Sequence, residues 1–158
     1  MKLIFISSPQ NEFASLRRDL CYFIRTDEYF KRYFDVFLFE NLPANRQNPE
    51  NNYLNKVREC SIYIGIFGNT YGRLGEDRIS ATEREYNYAS GLGKDRLIYI
   101  KRLSPRANRA AKMEDLITRV RREVTYKSFS TKHELLLEVS KSLMYWQEQQ
   151  SKRRFFRR

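Results

Sequence analysis

A glutamate within a predicted helix is the residue whose type and position most clearly suggest chemistry. The segment SATEREYNYASGLGK covers residues 80–94, and helical spacing predicts an inward-facing stripe made of Ala81, Glu85, Tyr88, Ala89 and Leu92. Burying an unpaired carboxylate costs on the order of several kcal/mol, so such a residue needs a partner or a task. Glu85 is therefore a candidate catalytic carboxylate. The alternative is a structural glutamate that is paired with a core arginine or bonded to backbone amides.

A second carboxylate, Glu83, lies near the start of the same helix and has a simpler explanation. Ser80 and Glu83 are three residues apart, which is the spacing of a capping box. In that motif the glutamate side chain turns back to the backbone amide of the cap residue. We therefore expect Glu83 to be structural and to lie closer to the helix cap than Glu85.

The elements that must position Glu85 follow from hydrophobic periodicity. Short apolar runs predict strands, and these are KLIFIS (2–7), DVFLFE (35–40), SIYIGIFG (61–68), DRLIYIK (95–101) and TYKSF (125–129). Helical patterns lie between them, over 9–25, over 53–60, after Ser80, around Met113 to Val124, and after Thr131. Apolar strands that alternate with helices predict a parallel sheet of four to five strands, covered on both faces. The sheet is expected to contain Leu3–Ser7, Val36–Phe39, Ile62–Phe67 and Leu97–Lys101, all parallel.

The predicted sheet also indicates where a ligand would bind. In open parallel sheets, ligands bind beyond the carboxyl ends of the strands. Two of those ends carry the candidate ligand-binding residues, which are Ser7, Ser8, Gly68, Asn69 and Tyr71. The helix of Glu85 follows the second of these ends, so we expect its carboxylate to face a cleft between them.

Composition excludes several other classes of protein. The chain has a single histidine, His133, which lies in the first turn of a predicted surface helix, so neither a histidine triad nor a metal site is expected. No phosphate-binding GxxxxGK or GxGxxG motif is present. The two cysteines, Cys21 and Cys60, adjoin apolar residues and are expected to be reduced core residues. No apolar run approaches the roughly 20 residues that span a bilayer, so no membrane contact is expected and the predicted location is cytoplasmic.

The net charge of +11 is concentrated in two parts of the chain. One is the stretch 101–127, and the other is the final segment SKRRFFRR (151–158). We therefore expect a folded domain over 1–150 followed by a basic tail. Such a tail can contact nucleic acid or acidic surfaces without sequence specificity.

Several stretches resemble one family of bacterial domains. They include IFISSPQNEFASLRRDL, FDVFLFENLPA, YLNKVRECSIYIGIFGNTYG, ISATEREYNYASGLGKDRLIYIK and LLLEVSKSL. Together they are similar to a domain family of unknown function that is Toll/interleukin-receptor-like (TIR-like) and commonly stands at the N-terminus of larger proteins. The resemblance implies a flavodoxin-like three-layer α/β sandwich, shared with NAD-cleaving TIR domains and nucleoside 2-deoxyribosyltransferases.

The resemblance also implies a role for Glu85. Those enzymes keep a glutamate on the equivalent helix, followed by a small-residue turn that here corresponds to Gly93-Lys94. Their carboxylate engages the sugar beside the N-glycosidic bond, where positive charge develops in the transition state. On this analogy NAD or a related nucleotide is a candidate substrate, and no cofactor is required.

Three functional hypotheses follow. The first is an N-glycosidase that acts on NAD or a related nucleotide, in bacterial defence or signalling, with Glu85 as its catalytic residue. The second is a non-catalytic signalling module whose fold serves self-association as a homo-oligomer. The third is weak nucleic-acid contact through the basic tail. The Glu85→Ala variant separates the first two, because it should stop turnover while leaving folding and association unchanged.

Overall fold

A parallel sheet of five strands organises the protein. The structure is a computed structural model that describes residues 1–38, 40 and 42–157. Its strands are β1 (Lys2–Ser7), β2 (Phe34–Phe37), β3 (Ile62–Phe67), β4 (Asp95–Lys101) and β5 (Tyr126–Phe129). Its helices are α1 (Gln10–Thr26), α2 (Pro49–Glu59), α3 (Ala81–Gly91), α4 (Ala111–Glu123) and α5 (Lys132–Phe156). The strand order is β2-β1-β3-β4-β5, and every pairing is parallel, which confirms the predicted flavodoxin-like α/β fold.

Helices cover both faces of the sheet, which explains why its strands are continuously apolar. One apolar cluster joins the sheet to α1 and α5, and the other joins it to α2, α3 and α4. β3 lies at the centre of the sheet, and all six of its residues are buried. The two central strands are in register so that Phe5 is opposite Tyr63 and Ser7 is opposite Gly65. Since side chains alternate along a strand, these residues share the face covered by α2 and α3.

Two predicted boundaries differ from the observed ones by more than two residues. The second strand is Phe34–Phe37, shorter at its end than the predicted 35–40, and Phe39 lies outside the described residues. α2 begins at Pro49, four residues before the predicted start. Its signal was in the sequence, because Asn48 accepts a hydrogen bond from the Asn51 backbone amide at 2.8 Å and Pro49 occupies the first helical position.

The buried stripe of α3 is rotated relative to the predicted one. Thr82, Tyr86 and Ala89 are buried together with Glu85, whereas Ala81 and Leu92 are exposed. The predicted stripe was therefore wrong to omit Tyr86. The reason is that Tyr86 packs edge-on against Tyr63 and Phe67 of the sheet, a contact that periodicity within α3 does not specify.

The last helix continues into the segment predicted as a tail. α5 runs without a break from Lys132 to Phe156, and the side chains described over 151–157 are exposed. Arg158 lies outside the described residues. The separation of the basic tail from the domain over 1–150 stays a prediction. No helix in the described part of the chain is both long and apolar enough to cross a bilayer.

Candidate functional site

Glu85 lies on α3 beside the end of β1, at the carboxyl edge of the sheet. Its side chain projects from the second turn of α3 and is 8% exposed. The hydroxyl of Ser7, the last residue of β1, donates a hydrogen bond of 2.8 Å to Glu85 Oε1. Among the described residues this is the hydrogen bond that reaches the carboxylate. Most of the acceptor capacity of Glu85 is therefore not used by the residues that the structure describes.

The Glu85 carboxylate faces a cleft of about 400 Å³, a volume within the range of small-molecule sites. The cleft lies beyond the carboxyl ends of β1 and β3, as the sequence predicted. Its lining comes from the ends of β1 and α1, from α2, from the loop after β3 and from the start of α3. The lining residues are Phe5, Ile6, Ser8, Pro9, Gln10, Asn11, Arg17, Tyr53, Thr70, Gly72, Arg73, Ser80, Ala81, Thr82 and Glu85.

Burial changes the acid strength of Glu85. Desolvation raises the pKa of its carboxyl from the ordinary value of 4.5 to about 7. The hydrogen bond from Ser7 and the positive charges of Arg17 and Arg84 act in the opposite direction. Glu85 therefore changes its charge near neutral pH, which is characteristic of carboxylates that take part in catalysis.

Arg17 is a second ionic residue at the cleft, and the sequence analysis missed it. Its side chain is 4% exposed, and its guanidinium donates to the backbone oxygen of Ser8 at 3.1 Å and to the Ser8 hydroxyl at 3.3 Å. It also forms an ion pair with Glu40 at 3.2 Å. Arg17 lies four residues after Phe13 on the apolar stripe of α1, so the signal that identified Glu85 was present here too.

Hydrogen bonds to Glu12 of α1 hold the loop after β3. The Glu12 carboxylate accepts hydrogen bonds from the backbone amides of Asn69 and Thr70 and from the Thr70 hydroxyl, all between 2.9 and 3.0 Å. Gly68 permits this approach, because a Cβ there would be 2.3 Å from Glu12 Oε2. Glu12 thus fixes the loop that forms one wall of the cleft.

The structure brings only some of the predicted ligand-binding residues into the cleft. Ser8 lines it, and Ser7 lies behind Glu85. Gly68 and Asn69 lie at the Glu12 anchor, outside the lining, and Tyr71 turns towards Glu83. The reason is that successive loop residues point in different directions, which spacing alone does not reveal.

Glu83 forms only half of the predicted capping box. The Ser80 hydroxyl accepts from the Glu83 backbone amide at 3.2 Å, as expected. The Glu83 carboxylate does not return to the Ser80 amide, which instead donates to the Tyr71 hydroxyl at 3.2 Å. Glu83 accepts from that same Tyr71 hydroxyl and pairs with Arg119 of α4 at 3.0 Å. Glu83 is therefore structural, as predicted, but through tertiary partners.

A metal site at the cleft would require a cluster of ligating side chains. The described residues contain no cluster of three or more His, Cys, Asp or Glu side chains that could hold a metal ion. His133 is exposed on the first turn of α5, and Cys21 and Cys60 are free and buried, as predicted. Within the described lining, Glu85 is the one carboxyl group.

The fold and the cleft define a flavodoxin-like α/β domain with a candidate site at the carboxyl edge of its sheet. The chain belongs to the DUF4062 family, described as a domain of unknown function, whose model matches residues 3–144. No curated protein matches the chain.

Two solved structures resemble the fold. One is a CMP N-glycosidase from Clostridium botulinum, with 17% identity, a TM-score of 0.57, and coverage of 88% of this chain and 98% of the other. The second is a 2-deoxyribosyltransferase from Leishmania mexicana, with 17% identity, a TM-score of 0.49, and coverage of 66% and 68%. At this identity the first likeness concerns the fold, and the second is too distant to support an argument.

Proposed function

We propose that this protein cleaves the N-glycosidic bond of a nucleotide and that Glu85 is its catalytic carboxylate. The observation that carries the proposal is a single buried carboxyl group, with most of its acceptor capacity open, facing a cleft at the carboxyl edge of the sheet. A structural glutamate at this depth would be satisfied by several donors, as Glu83 is by Tyr71 and Arg119. The resemblance of the fold to an N-glycosidase supports the same reading.

The chemistry follows from one carboxylate placed beside a sugar. As the bond between C1′ and the base nitrogen breaks, its electron pair leaves with the base and positive charge develops on the sugar ring. Ionised Glu85 stabilises that charge at close range, where the surrounding low dielectric strengthens the interaction. A water molecule then adds its oxygen to C1′ and releases one proton. Ser7 holds one carboxylate oxygen, Oε1, and in this proposal the other, Oε2, interacts with the sugar.

The residues that line the cleft indicate which kind of leaving group the site could release. With Glu85 as its one carboxyl group, the described part of the cleft offers no second carboxylic acid to protonate a departing base. A cationic N-glycoside such as NAD needs no such acid, because nicotinamide leaves as a neutral molecule. NAD is therefore the first substrate to test, in agreement with the resemblance to TIR domains. Nucleoside monophosphates are the second group to test.

The experiment is direct. Purified protein is incubated with NAD, with CMP and other nucleoside monophosphates, and with the free nucleosides, and the released base is measured by chromatography. We expect release from at least one nucleotide and none from the Glu85→Gln variant. The Glu83→Gln variant is the matched control and should retain activity. Absence of release from every nucleotide at high protein concentration would refute the proposal.

The alternative, a self-association module, has one observation in its favour. Leu137, Met144 and Tyr145 are exposed on α5. If association is the function, the Glu85→Ala variant should form the same oligomers as the wild type and neither should release base. Light scattering together with the chromatographic assay distinguishes the two functions. Nucleic-acid contact through residues 151–158 stays a prediction, and salt-dependent binding of an oligonucleotide tests it.

A further inference from the structure

A buried tyrosine lies beneath the proposed catalytic carboxylate. Tyr63 of β3 is 0% exposed, and its hydroxyl has no hydrogen-bond partner among the described residues. A buried hydroxyl without a partner costs free energy that phenylalanine would avoid. The presence of tyrosine at this depth therefore calls for a reason beyond packing.

The ring of Tyr63 lies along the sheet towards Ser7. A Cβ built on Gly65 would be 3.1 Å from Tyr63 Cε1, so the edge of the ring that carries the hydroxyl covers Gly65. Gly65 is the direct neighbour of Ser7 across the parallel pair. The absence of a side chain at position 65 thus lets the Tyr63 hydroxyl extend to the end of β1. There Ser7 donates to Glu85.

The number of hydroxyl hydrogens favours one direction for the hydrogen bonds. The Ser7 hydroxyl spends its single hydrogen on Glu85 Oε1 and keeps lone pairs that can accept. The Tyr63 hydroxyl is a buried donor without a partner among the described residues, and Ser7 is the polar side chain that lowers its pKa. A chain from Tyr63 to Ser7 to Glu85 would place the positive end of each O–H dipole towards the carboxylate, and each bond would strengthen the next.

We infer that Tyr63 is a positioning residue that supports the ionised form of Glu85 through the Ser7 hydroxyl, with Gly65 providing the space for its ring. Tyr63 touches neither the cleft nor the substrate and acts through Ser7. The inference rests on the proposed role of Glu85, but it is tested by the titration of Glu85 itself, which needs no turnover.

Other charged and titratable groups also face Glu85 and have to be held constant. Arg17 approaches from α1, Tyr53 from α2, and Arg84 is its neighbour on α3, while Glu40 lies after β2. Burial and the charge of Glu85 both raise the pKa of Tyr63, whereas its proximity to the Ser7 hydroxyl lowers it, in agreement with this placement. The test therefore changes Tyr63 and Ser7 alone.

The test follows the Glu85 carboxyl by carbon-13 NMR in protein labelled at glutamate, with the signal assigned by its loss in Glu85→Gln. We expect Tyr63→Phe to move the midpoint of that titration upwards by about half to one pH unit, because the variant lacks the O–H dipole that supports the ionised carboxylate through Ser7. If the enzyme is active, the acid limb of its pH profile should move equally.

Tyr99→Phe is the matched control. Tyr99 of β4 is also buried, and its hydroxyl also lacks a partner among the described residues, but it packs in the cluster on the opposite face. This variant should leave the Glu85 midpoint unchanged. A shift common to both variants, or no shift in Tyr63→Phe, would overturn the inference.

A double-mutant cycle tests the route through Ser7. In a Ser7→Ala background, Tyr63→Phe should have no further effect on the Glu85 midpoint, because the intermediate hydroxyl is gone. Full additivity would show that Tyr63 acts without Ser7 and would overturn the inference. Should Tyr63→Phe fail to fold, Gly65→Ala is the second variant, because a Cβ at this position would displace the Tyr63 ring, and an unchanged Glu85 midpoint in it would overturn the inference. If the Glu85 midpoint responds to these variants as expected but no nucleotide is turned over, the proposed function is refuted and this inference stands.

Discussion

Glu83 and Glu85 are two residues apart on one helix and have opposite surroundings. Glu83 accepts from Tyr71 and pairs with Arg119, so both of its carboxylate oxygens are engaged. Glu85 is more deeply buried and receives one hydrogen bond from Ser7 among the described residues. The comparison indicates that the structural carboxylate has both oxygens satisfied, whereas the candidate catalytic one is more deeply buried and less satisfied.

The largest difference between the two carboxylates should be in catalysis. Glu85→Gln keeps the shape and the bond from Ser7 but removes the charge that stabilises the developing sugar cation. We expect base release to fall by about 10³-fold, the effect of losing a preorganised electrostatic group. Glu83→Gln should keep activity within about tenfold. Equal losses in the two variants would remove the distinction between the two residues.

The second difference should appear in stability as a function of pH. The pKa of Glu85 is raised from 4.5 to about 7 in the folded state, so the stability associated with its protonated form is lost as the pH rises from 4.5 through 7. Glu85→Gln cannot ionise. Between pH 5 and pH 8 the wild type should therefore lose about 2–3 kcal/mol relative to this variant. Urea unfolding at both pH values measures the change.

A wild type and a Glu85→Gln variant with parallel stability profiles would contradict this expectation. If Glu85→Gln is more stable than the wild type at pH 8, the difference measures how much the buried charge of Glu85 destabilises the fold.

Glu83→Gln should have a moderate effect on stability at neutral pH. The substitution removes the charge that pairs with Arg119, which is 41% exposed, and weakens the acceptor for Tyr71. We expect a loss of about 1 kcal/mol, because the partly exposed pair is screened by solvent while the bond to the hydroxyl is sheltered. Thermal unfolding at pH 7 measures it. An increase in melting temperature would contradict the structural role of Glu83.

The smallest effect should come from a region that contains neither carboxylate. The side chains described over 151–157 are exposed, so deleting residues 151–158 should change the melting temperature by less than about 5 °C, on the order of 1 kcal/mol. This deletion sets the baseline for the other variants. A larger fall would mean that the end of α5 is part of the folded domain.

The sequence by itself determined the sheet and the position of the site. Continuous apolar runs such as IYIGIF in β3 can be satisfied only by burial on both faces, and this dictates parallel strands between helices. The burial of Glu85 followed from its spacing to Ala89 along α3. Such patterns are local, so they can be read without knowing what lies on the other side of the core.

Tertiary structure alone decided the partners. Ser7 and Glu85 are 78 residues apart, and Glu12 is 57 residues from the amide of Asn69 that it holds. Which donor meets which acceptor depends on helix rotation and loop direction, and these are set by packing across the sheet. For that reason the sequence identified Glu85 as a candidate, whereas only the fold shows that Ser7 is the described residue that donates to its carboxylate.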